Sequence, residues 1–322
     1  MPERAFWVIA PGCGEIRSAP ARDAAAEPPP VRVRTRCSGI SRGTESLVFQ
    51  GRVPASLWDV MRCPFQDGDF PAPVKYGYAS VGTTEDGQRV FCLHPHQDRY
   101  VVPAAALHPI PDAVPDRRAV LAANMETAVN ALWDGAPRLG DRIAVVGAGV
   151  VGCLIARLCG QLPGTEVRLV DINPSRVTVA DAMGVMFRTP DALEGDNDLV
   201  FHASGSEQGL ATALACAGFE ATVVELSWYG DQPVSAPLGE RFHASRLTLK
   251  ASQVGHVATA RRARHSARDR MRLALELLSN PVFDCLLTGS SRFQDLPETM
   301  RALSDDPGDV LCHVVEYQSE ES

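Results

Sequence analysis

Hydrophobic and polar positions give the first 120 residues a β-rich pattern. Val31–Cys37 alternates between apolar and polar side chains, as a half-buried strand does. Tyr76–Thr84 and Arg89–Leu93 flank a short polar segment that is typical of a hairpin turn. A further strand is expected at Tyr100–Val102, and no segment here shows the 3.6-residue period of a helix. The pattern predicts a small all-β unit, either a barrel or a sandwich.

From about residue 125 the pattern changes to strands that alternate with helices. The predicted strands are 142–146, 166–170, 198–203, 221–226 and 247–251. The predicted helices are 127–133, 150–162, 174–183 and 207–217. Such alternation is typical of a parallel sheet with right-handed crossovers. Beyond Gly255 we expect a basic segment, helices at 271–278 and 296–303, and a last strand at 310–317.

The first strand of this second part runs into a glycine-rich turn, Val146-Gly147-Ala148-Gly149-Val150-Val151-Gly152, and Asp171 ends the next apolar run. Gly147 would permit the tight turn, Gly149 would let backbone approach a pyrophosphate, and Gly152 would let the helix lie close to the strand. Asp171 stands where a carboxylate meets a ribose hydroxyl. The alternative is a glycine turn that binds no nucleotide. The strands on both sides favour a dinucleotide, and Asp171 favours NAD(H) because it would repel a 2′-phosphate.

Composition narrows the class of protein. At 322 residues the chain has room for about two domains, and 22% charged with 45% hydrophobic residues is typical of a globular protein. A net charge of −8 argues against a nucleic-acid partner. The nine cysteines show no C-x-x-C pair, which fits reduced thiols in a cytoplasm. We find no signal peptide and no apolar run long enough to span a membrane, so we expect a cytoplasmic enzyme.

These elements and motifs, in this order, resemble the medium-chain dehydrogenase/reductase superfamily. The resemblance is carried by GAGVVG, VDINPSR, VRVRTRCSGISRGTESLVFQG, VKYGYASVG, GQRVF, METAVNALWDGAPRLGDRIAVVGAG and HASGS. It implies an α/β fold in which a Rossmann doubly wound parallel sheet is inserted into a GroES-like β-rich catalytic domain. The implied domains are a GroES-like domain at 1–124, a Rossmann dinucleotide-binding domain at 125–256, and a return segment at 257–322. The chain is most similar to the branch with zinc-lacking, bacteriochlorophyllide-dehydrogenase-like members, and the resemblance implies a homodimer.

The chain departs from zinc-dependent members of the superfamily at the ligand positions. Where they have G-x-C-G-T-D, this chain has Gly39–Glu45, with Ser41 or Arg42 at the thiolate position. Their Gly-His-Glu run is Gly77-Tyr78-Ala79 here, and the third ligand falls near Ala123. The four cysteines of the structural zinc lobe are also absent from the sequence. Zinc needs three or four thiolate, imidazole or carboxylate donors, so we predict neither a catalytic nor a structural zinc.

Without zinc as a Lewis acid, hydrogen-bond donors have to polarise the substrate. Tyr78 is the candidate general acid or oxyanion donor, and Lys75 is the cation expected to lower its pKa from about 10. Tyr78 could instead be an aromatic ring packed beneath the cofactor. Thr44 matches the proton-relay hydroxyl of the family, although it could simply cap a turn. Glu45 matches a carboxylate that orients a ligand histidine in the family, and here we expect it to pair with Arg42 or Lys75.

The resemblance also implies which residues contact substrate and cofactor. A metal site built from His94 and His96 with Asp98 and His108 lacks a clear further donor, so a substrate role is preferred for this histidine pair. The expected substrate contacts are Ser41, Arg42, His94, His96, Asn124 and Glu126. The expected cofactor contacts are Thr127, Gly147, Gly149, Val150, Val151, Gly152, Asp171, Arg176, Ser204, Gly205, Ser227, Trp228, Ser252 and Gln253. Because arginine can accommodate a 2′-phosphate, Arg176 leaves NADP possible.

Three functions follow from these expectations. The first is a zinc-independent, NAD(H)-dependent oxidoreductase that interconverts a ketone and a secondary alcohol on a small biosynthetic intermediate. The second is an enone or quinone reductase of the same superfamily, in which hydride adds to a β-carbon. The third is a nucleotide-binding sensor that has lost catalysis. Fold and cofactor alone do not separate them, because substrate chemistry is decided by the site.

Overall fold

The structure is a computed structural model that describes residues 3–19, 30–306 and 308–318. The chain forms two compact units. The first combines the segment up to Ala123 with the segment from Leu275 onward, and the second is Asn124–Ala274. Residues 257–274, which the sequence assigned to the return segment, therefore lie in the second unit.

The strands are β1 (Arg4–Ala10), β2 (Cys13–Ser18), β3 (Val31–Ile40), β4 (Asp67–Gly68), β5 (Val74–Lys75), β6 (Ser80–Thr84), β7 (Arg89–Cys92), β8 (Arg99–Val102), β9 (His108–Pro109), β10 (Arg142–Val146), β11 (Glu166–Val170), β12 (Met186–Arg188), β13 (Asn197–His202), β14 (Ala217–Glu225), β15 (Thr248–Ala251), β16 (Leu287–Arg292) and β17 (Cys312–Glu316). The α-helices are α1 (Arg42–Phe49), α2 (Asp116–Ala119), α3 (Ala122–Gly135), α4 (Val150–Cys159), α5 (Val177–Met183), α6 (Glu207–Cys216), α7 (Ala267–Leu277) and α8 (Leu296–Asp305). Within the described ranges, no helix is both long and apolar enough to cross a membrane.

The first unit is built on two sheets. One has the order β2-β1-β5-β4, and the other has the order β16-β17-β3-β6-β7-β9 with β8 paired to β3. Alternation in β3 buries Val33, Thr35 and Cys37 and exposes the arginines between them, as the sequence predicts. The C-terminal β17 pairs antiparallel with β3, with His313 opposite Ile40. The last strand of the chain thus completes a sheet begun near its start.

Helices in the first unit correct the prediction that this part has no helical segment. The helix α1 buries Glu45, Val48 and Phe49 on one face. It has only 8 residues, and one of its three buried side chains is a carboxylate, so it carries no apolar stripe to reveal it. The short α2 follows Pro115 and buries Arg118 with Ala119. Both helices were hidden because charged residues occupy part of their buried faces.

The second unit contains a six-stranded sheet in the order β12-β11-β10-β13-β14-β15, with every pair parallel. Counted from its own first strand this is the order 3-2-1-4-5-6 of the doubly wound nucleotide-binding fold. The strands predicted at 142–146 and 166–170 are confirmed at those bounds. The sequence order reverses between β10 and its neighbour β13. In open parallel sheets, ligands bind at the carboxyl ends of the strands at such a reversal.

Candidate functional site

A glycine-rich turn leaves the carboxyl end of β10. Gly147 has φ +107°, a conformation that favours glycine. A Cβ added to Gly152 would lie 1.8 Å from the Gly147 carbonyl oxygen, so the start of α4 packs directly against the turn. A Cβ added to Gly149 would meet nothing within 4 Å. The turn therefore has one glycine required by backbone conformation, one required by packing, and one that faces open space. Open space over the first turn of a helix is what an anion needs in order to reach its N–H groups.

Asp171 lies at the carboxyl end of β11 and is tied to this turn. One carboxylate oxygen accepts a hydrogen bond from the Ala148 N–H at 2.7 Å, and the other accepts from the Asn173 N–H at 2.9 Å. The carboxylate is therefore held beside the glycine turn by backbone donors. Arg176 follows in the same loop and is buried, whereas Ile172 is 84% exposed.

The loop after β13 lies against the glycine turn. The Ala203 N–H donates to the Val146 carbonyl at 2.8 Å, and a Cβ added to Gly147 would lie 2.6 Å from the Ser204 nitrogen. Behind this loop is a polar network that sequence reasoning missed. The His202 ring binds the Ser204 hydroxyl through Nε2 at 2.6 Å and a Glu225 carboxylate oxygen through Nδ1 at 2.7 Å. The HASGS motif contained both His202 and Ser204, but only tertiary structure brings Glu225 to them.

The remaining predicted cofactor residues follow β14 and β15. The Ser227 hydroxyl accepts from the Gly205 N–H at 3.1 Å, which joins two of the predicted contacts. Trp228 has a buried indole nitrogen that lacks a hydrogen-bond partner within the described part of the chain. The Ser252 hydroxyl donates to Asp134 at 2.8 Å, and the Gln253 side chain accepts from the Gly255 N–H at 2.7 Å. Ser252 and Gln253 thus have structural partners of their own.

Glu126 is committed to a buried ion pair in place of the predicted substrate contact. The Arg270 Nε donates to the Glu126 carboxylate at 3.1 Å, and both side chains are buried. Burial raises the pKa of Glu126, although the neighbouring Arg270 acts in the opposite direction. Arg270 also donates to the Asn130 side chain at 2.5 Å and so joins α3 to α7. Asn124 and Thr127 lie in the same helix, α3.

In the first unit, the hydroxyl groups of Ser41 and Thr44 lie beside that of Tyr78. Ser41 stands at the N-terminal end of α1 and Thr44 lies in its first turn, and the side chains of both hydrogen-bond with Tyr78. Burial raises the pKa of Tyr78 well above its ordinary value, the negative charge of Glu45 adds to the rise, and the hydrogen bonds of Ser41 and Thr44 oppose it. Tyr78 is therefore a neutral phenol at all physiological pH values. We call Ser41, Thr44 and Tyr78 the hydroxyl cluster.

Beside the hydroxyl cluster, a buried carboxylate and a buried imidazole form a pair. The His96 Nε2 lies 2.8 Å from one Glu45 oxygen, and the other Glu45 oxygen accepts from the Ser41 N–H at 2.8 Å. On its far side, His96 Nδ1 lies 2.7 Å from the Ser38 hydroxyl, which lies 3.1 Å from the Tyr317 hydroxyl. Glu45 thus fixes the start of α1, which carries two members of the hydroxyl cluster.

Two predicted pairings around Tyr78 are wrong. Lys75 is buried in a salt bridge with Asp67 at 2.5 Å and donates to the Gln97 side chain at 2.8 Å, and the pKa of Tyr78 is raised, so Lys75 does not activate the phenol. Glu45 pairs with His96 instead of with Lys75 or with Arg42, whose guanidinium donates to the Val310 carbonyl at 3.3 Å. Both errors arose because pairing was judged from closeness in sequence.

His94, expected to contact substrate, packs in the interior of the first unit. Its ring stacks on Tyr100 with centroids 3.7 Å apart and on Phe65 at 5.5 Å. Nδ1 lies 2.9 Å from the Pro95 carbonyl oxygen. The side chain is 2% exposed, so an aromatic stack is the role that the structure supports.

The side chains of the hydroxyl cluster are not the donors that zinc takes in proteins. The hydroxyl cluster offers neither thiolate, imidazole nor carboxylate, and the neighbouring His96–Glu45 pair is already bonded to Ser38 and to backbone. Among residues 3–19, 30–306 and 308–318, no three His, Cys, Asp or Glu side chains group in a way that could hold a metal ion. A tetrahedral zinc site requires four donors, of which at least three come from protein in catalytic sites.

Solved dehydrogenase structures share this fold over nearly the whole chain. L-Idonate 5-dehydrogenase from Escherichia coli K-12 has a TM-score of 0.78 at 15% identity, covering 98% of both chains. A short chain alcohol dehydrogenase from E. coli CFT073, solved in complex with NADH, has a TM-score of 0.76 at 17% identity, covering 98% of this chain and 99% of that one. The predicted fold class is confirmed: a parallel Rossmann-type sheet together with separate β-rich sheets.

Sequence relatives are alcohol dehydrogenase-like proteins. The chain is 24% identical over 221 residues to an uncharacterized zinc-type alcohol dehydrogenase-like protein from Haemophilus influenzae, covering 65% of this chain and 61% of the relative. It is 26% identical over 125 residues to an L-threonine 3-dehydrogenase from Ruegeria pomeroyi, covering 39% and 36%. The match thus spans less than two thirds of the length of these curated relatives. No family model matches the chain.

Proposed function

We propose that this protein is an NAD(H)-dependent oxidoreductase that interconverts a ketone and a secondary alcohol. The observation that carries the proposal is the glycine turn at the reversal of a doubly wound sheet, with Asp171 bonded to its backbone. Its fold neighbours and sequence relatives carry the names of alcohol and polyol dehydrogenases, which supports the same class of reaction.

The second unit would hold the nicotinamide cofactor through this turn. Gly149 leaves open space above the first turn of α4, where N–H groups favour a pyrophosphate. Asp171 would accept a ribose hydroxyl and repel a 2′-phosphate, so NAD(H) is preferred to NADP(H). The cofactor, when bound, supplies or takes the hydride. The protein has to orient the substrate, polarise its carbonyl and control the proton.

The first unit would supply the polarising donors through the hydroxyl cluster. A phenol that stays protonated can donate a hydrogen bond to a carbonyl oxygen as negative charge develops on it. Ser41 and Thr44 hydrogen-bond with the Tyr78 hydroxyl, and burial, together with the charge of Glu45, keeps it neutral. Tyr78 thus acts as an oxyanion donor, with Thr44 as the adjacent hydroxyl of the proton path.

Zinc independence is part of the proposal. It is supported by the hydroxyl groups that stand where zinc-dependent relatives would need ligands, and by the commitment of His96 and Glu45 to other partners. We further propose a small biosynthetic intermediate as substrate, a cytoplasmic location and a homodimer. The outer strand of the parallel sheet, β15, has exposed Thr248, Leu249 and Ala251, which supports pairing between copies.

The test is turnover of NADH with a panel of ketones and enones by the wild-type protein and by Tyr78→Phe. Loss of the phenol should lower kcat for ketone reduction by about 10²-fold, the usual contribution of a positioned acid or donor. Tyr76→Phe is the matched control, because its hydroxyl donates only to the Met61 carbonyl, at 3.3 Å, and its kcat should equal that of the wild type.

Each other outcome identifies a different function. An enone reductase needs no donor at this point, so Tyr78→Phe and Thr44→Ala would both keep their turnover with enones. A sensor would bind NADH and show no turnover with any compound of the panel. Either result would overturn the proposal of a ketone and alcohol oxidoreductase.

A further inference from the structure

A chain of hydrogen bonds runs from the partly buried carboxylate of Glu225 to the surface at the carboxyl ends of β13 and β14. Glu225 accepts from the Ser227 N–H at 2.7 Å and from the Tyr229 hydroxyl at 3.1 Å, in addition to its contact with His202. His202 is fully buried and contacts Ser204, which is exposed and lies 3.0 Å from the Ser206 hydroxyl. Burial alone would raise the pKa of Glu225, but its hydrogen bonds with His202 and Ser227 hold that pKa below its ordinary value.

The ionised carboxylate of Glu225 determines which ring nitrogen of a neutral His202 carries the hydrogen. An ionised carboxylate can only accept hydrogen bonds, and a neutral imidazole has one donor and one acceptor nitrogen. In the neutral form of the His202 ring, Nδ1, 2.7 Å from Glu225, carries the proton and Nε2 is an acceptor. The Ser204 hydroxyl then has to donate its hydrogen to Nε2 across 2.6 Å.

The direction of the chain follows from this step. Because the Ser204 hydrogen is directed inward, its oxygen can only accept from other groups. Ser206 fits this direction, since its N–H donates to the Ser204 oxygen at 3.2 Å and its own oxygen accepts from the Gly209 N–H at 3.0 Å. The Ser206 N–H occupies one lone pair of the Ser204 oxygen, and a ligand hydroxyl that replaces the Ser206 hydroxyl, 3.0 Å away, would donate to the other, so the exposed end presents an acceptor. Such an end suits a ligand hydroxyl and disfavours a phosphate.

Ser204 lies next to the glycine turn, at the reversal of strand order. We propose that His202 and Glu225 are positioning residues that fix Ser204 as a hydrogen-bond acceptor for a ribose hydroxyl of the bound nucleotide. This inference rests on the proposed function, since it assigns a contact of the same cofactor. It names two residues, His202 and Glu225, that act on the nucleotide only through Ser204.

The experiment measures NADH dissociation constants by fluorescence titration for four variants. Ser204→Ala should weaken NADH binding about three- to tenfold, the range for one neutral hydrogen bond. His202→Asn keeps a donor toward Glu225 but has no acceptor that reaches Ser204, so it should show a similar loss. His202→Gln restores an acceptor and should bind nearly as the wild type does. The double variant His202→Asn/Ser204→Ala should bind no more weakly than Ser204→Ala, because the residues act in series.

Thr212→Ala is the matched control, since its hydroxyl donates to the Gln208 carbonyl within α6 and its removal should leave NADH binding unchanged. A second readout is the ¹⁵N NMR spectrum of the nucleotide-free wild type, which should show His202 as the neutral Nδ1–H tautomer. Two results would overturn the inference alone: wild-type affinity in Ser204→Ala, or an Nε2–H tautomer or doubly protonated ring at His202. A wild-type protein that binds neither NADH nor NADPH would instead overturn the proposed function, and the ribose contact with it.

Discussion

The carboxylate of Asp171 is expected to determine the preference for NAD(H) over NADP(H). A 2′-phosphate placed near it would face a like charge, which costs several kcal/mol at an interface. We expect wild-type protein to bind NADH at least about tenfold more tightly than NADPH. In Asp171→Asn the difference should shrink, because the charge is removed while an amide oxygen can still accept from the Ala148 N–H. Titration of both variants with both nucleotides measures this, and equal wild-type affinities would show that Arg176 accommodates the phosphate.

At the residue scale, the structure brings together hydroxyl residues that the sequence singled out, but the sequence did not indicate the partners of Glu45 and His202. Tyr78, Thr44 and Ser41 were selected from the resemblance, and the structure brings their hydroxyls together. The partner of Glu45 was missed because His96 lies 51 residues away in the chain. Glu225 was missed for the same reason, since it reaches His202 only across two adjacent strands. Pairings between distant residues depend on strand register, which composition and spacing do not give.

At the scale of one element, two glycines of the turn before α4 have different expected roles: Gly152 allows close packing, and Gly149 allows a ligand to approach the backbone. Gly152→Ala should destabilise the protein by about 1–3 kcal/mol, because its Cβ would lie 1.8 Å from the Gly147 carbonyl oxygen and a packed site tolerates no such insertion. Gly149→Ala should leave the melting temperature unchanged, since no atom lies within 4 Å of the added Cβ, but it should weaken NADH binding at least about tenfold if pyrophosphate approaches this backbone.

Thermal unfolding and NADH titration of each variant measure the two roles. The matched control is Gly195→Ala, where the added Cβ also meets nothing within 4 Å, and both stability and NADH affinity should stay at wild-type values. Wild-type NADH affinity in Gly149→Ala would contradict the role assigned to the turn.

Elements of the parallel sheet were the ones the sequence predicted best. In β10 the four residues Ile143–Val146 are all buried, and a continuous apolar run between glycine and charged residues marks such a strand clearly. The strand β16 was missed because its sequence, LTGSSR, is polar and contains Gly289. It forms by pairing in parallel with β17. Elements whose residues face solvent on one side depend on their neighbours and leave a weak pattern.

For the molecule as a whole, we expect the buried thiols to lower the free energy of unfolding at alkaline pH. Burial raises the pKa of six cysteines to about 12: Cys37, Cys63, Cys92, Cys159, Cys216 and Cys312. In the unfolded chain the pKa of a cysteine thiol is about 8.5. Between these values the folded state binds more protons than the unfolded state, so the free energy of unfolding falls as pH rises. The fall is at most about 1.4 kcal/mol per thiol for each pH unit.

Urea unfolding in a reducing buffer at pH 7.5 and pH 9.5 measures this difference. Cys312→Ala removes one fully buried thiol and should show a smaller alkaline loss than the wild type does. A free energy of unfolding that is equal or higher at pH 9.5 would contradict the burial of these thiols.

For the chain as a whole, the order of its elements predicted the fold class. A β-rich part, a strand–helix alternation and a final strand were enough to indicate the fold class, which a solved structure shares over 98% of the chain. The basic residues of segment 257–274 placed it in the predicted return segment, whereas the buried Arg270 ties it to Glu126 in the second unit.

Zinc independence is tested most directly with protein that has been treated exhaustively with a chelator and whose residual zinc content has been measured. The measured quantity is the rate of NADH oxidation with ketones. Since hydroxyl donors at Ser41, Thr44 and Tyr78 are proposed to do the polarising, we predict that zinc-free protein reduces a ketone at the full rate and that added zinc does not increase it. One tightly held zinc ion per chain after chelation, or turnover that appears only when zinc is restored, would contradict the account.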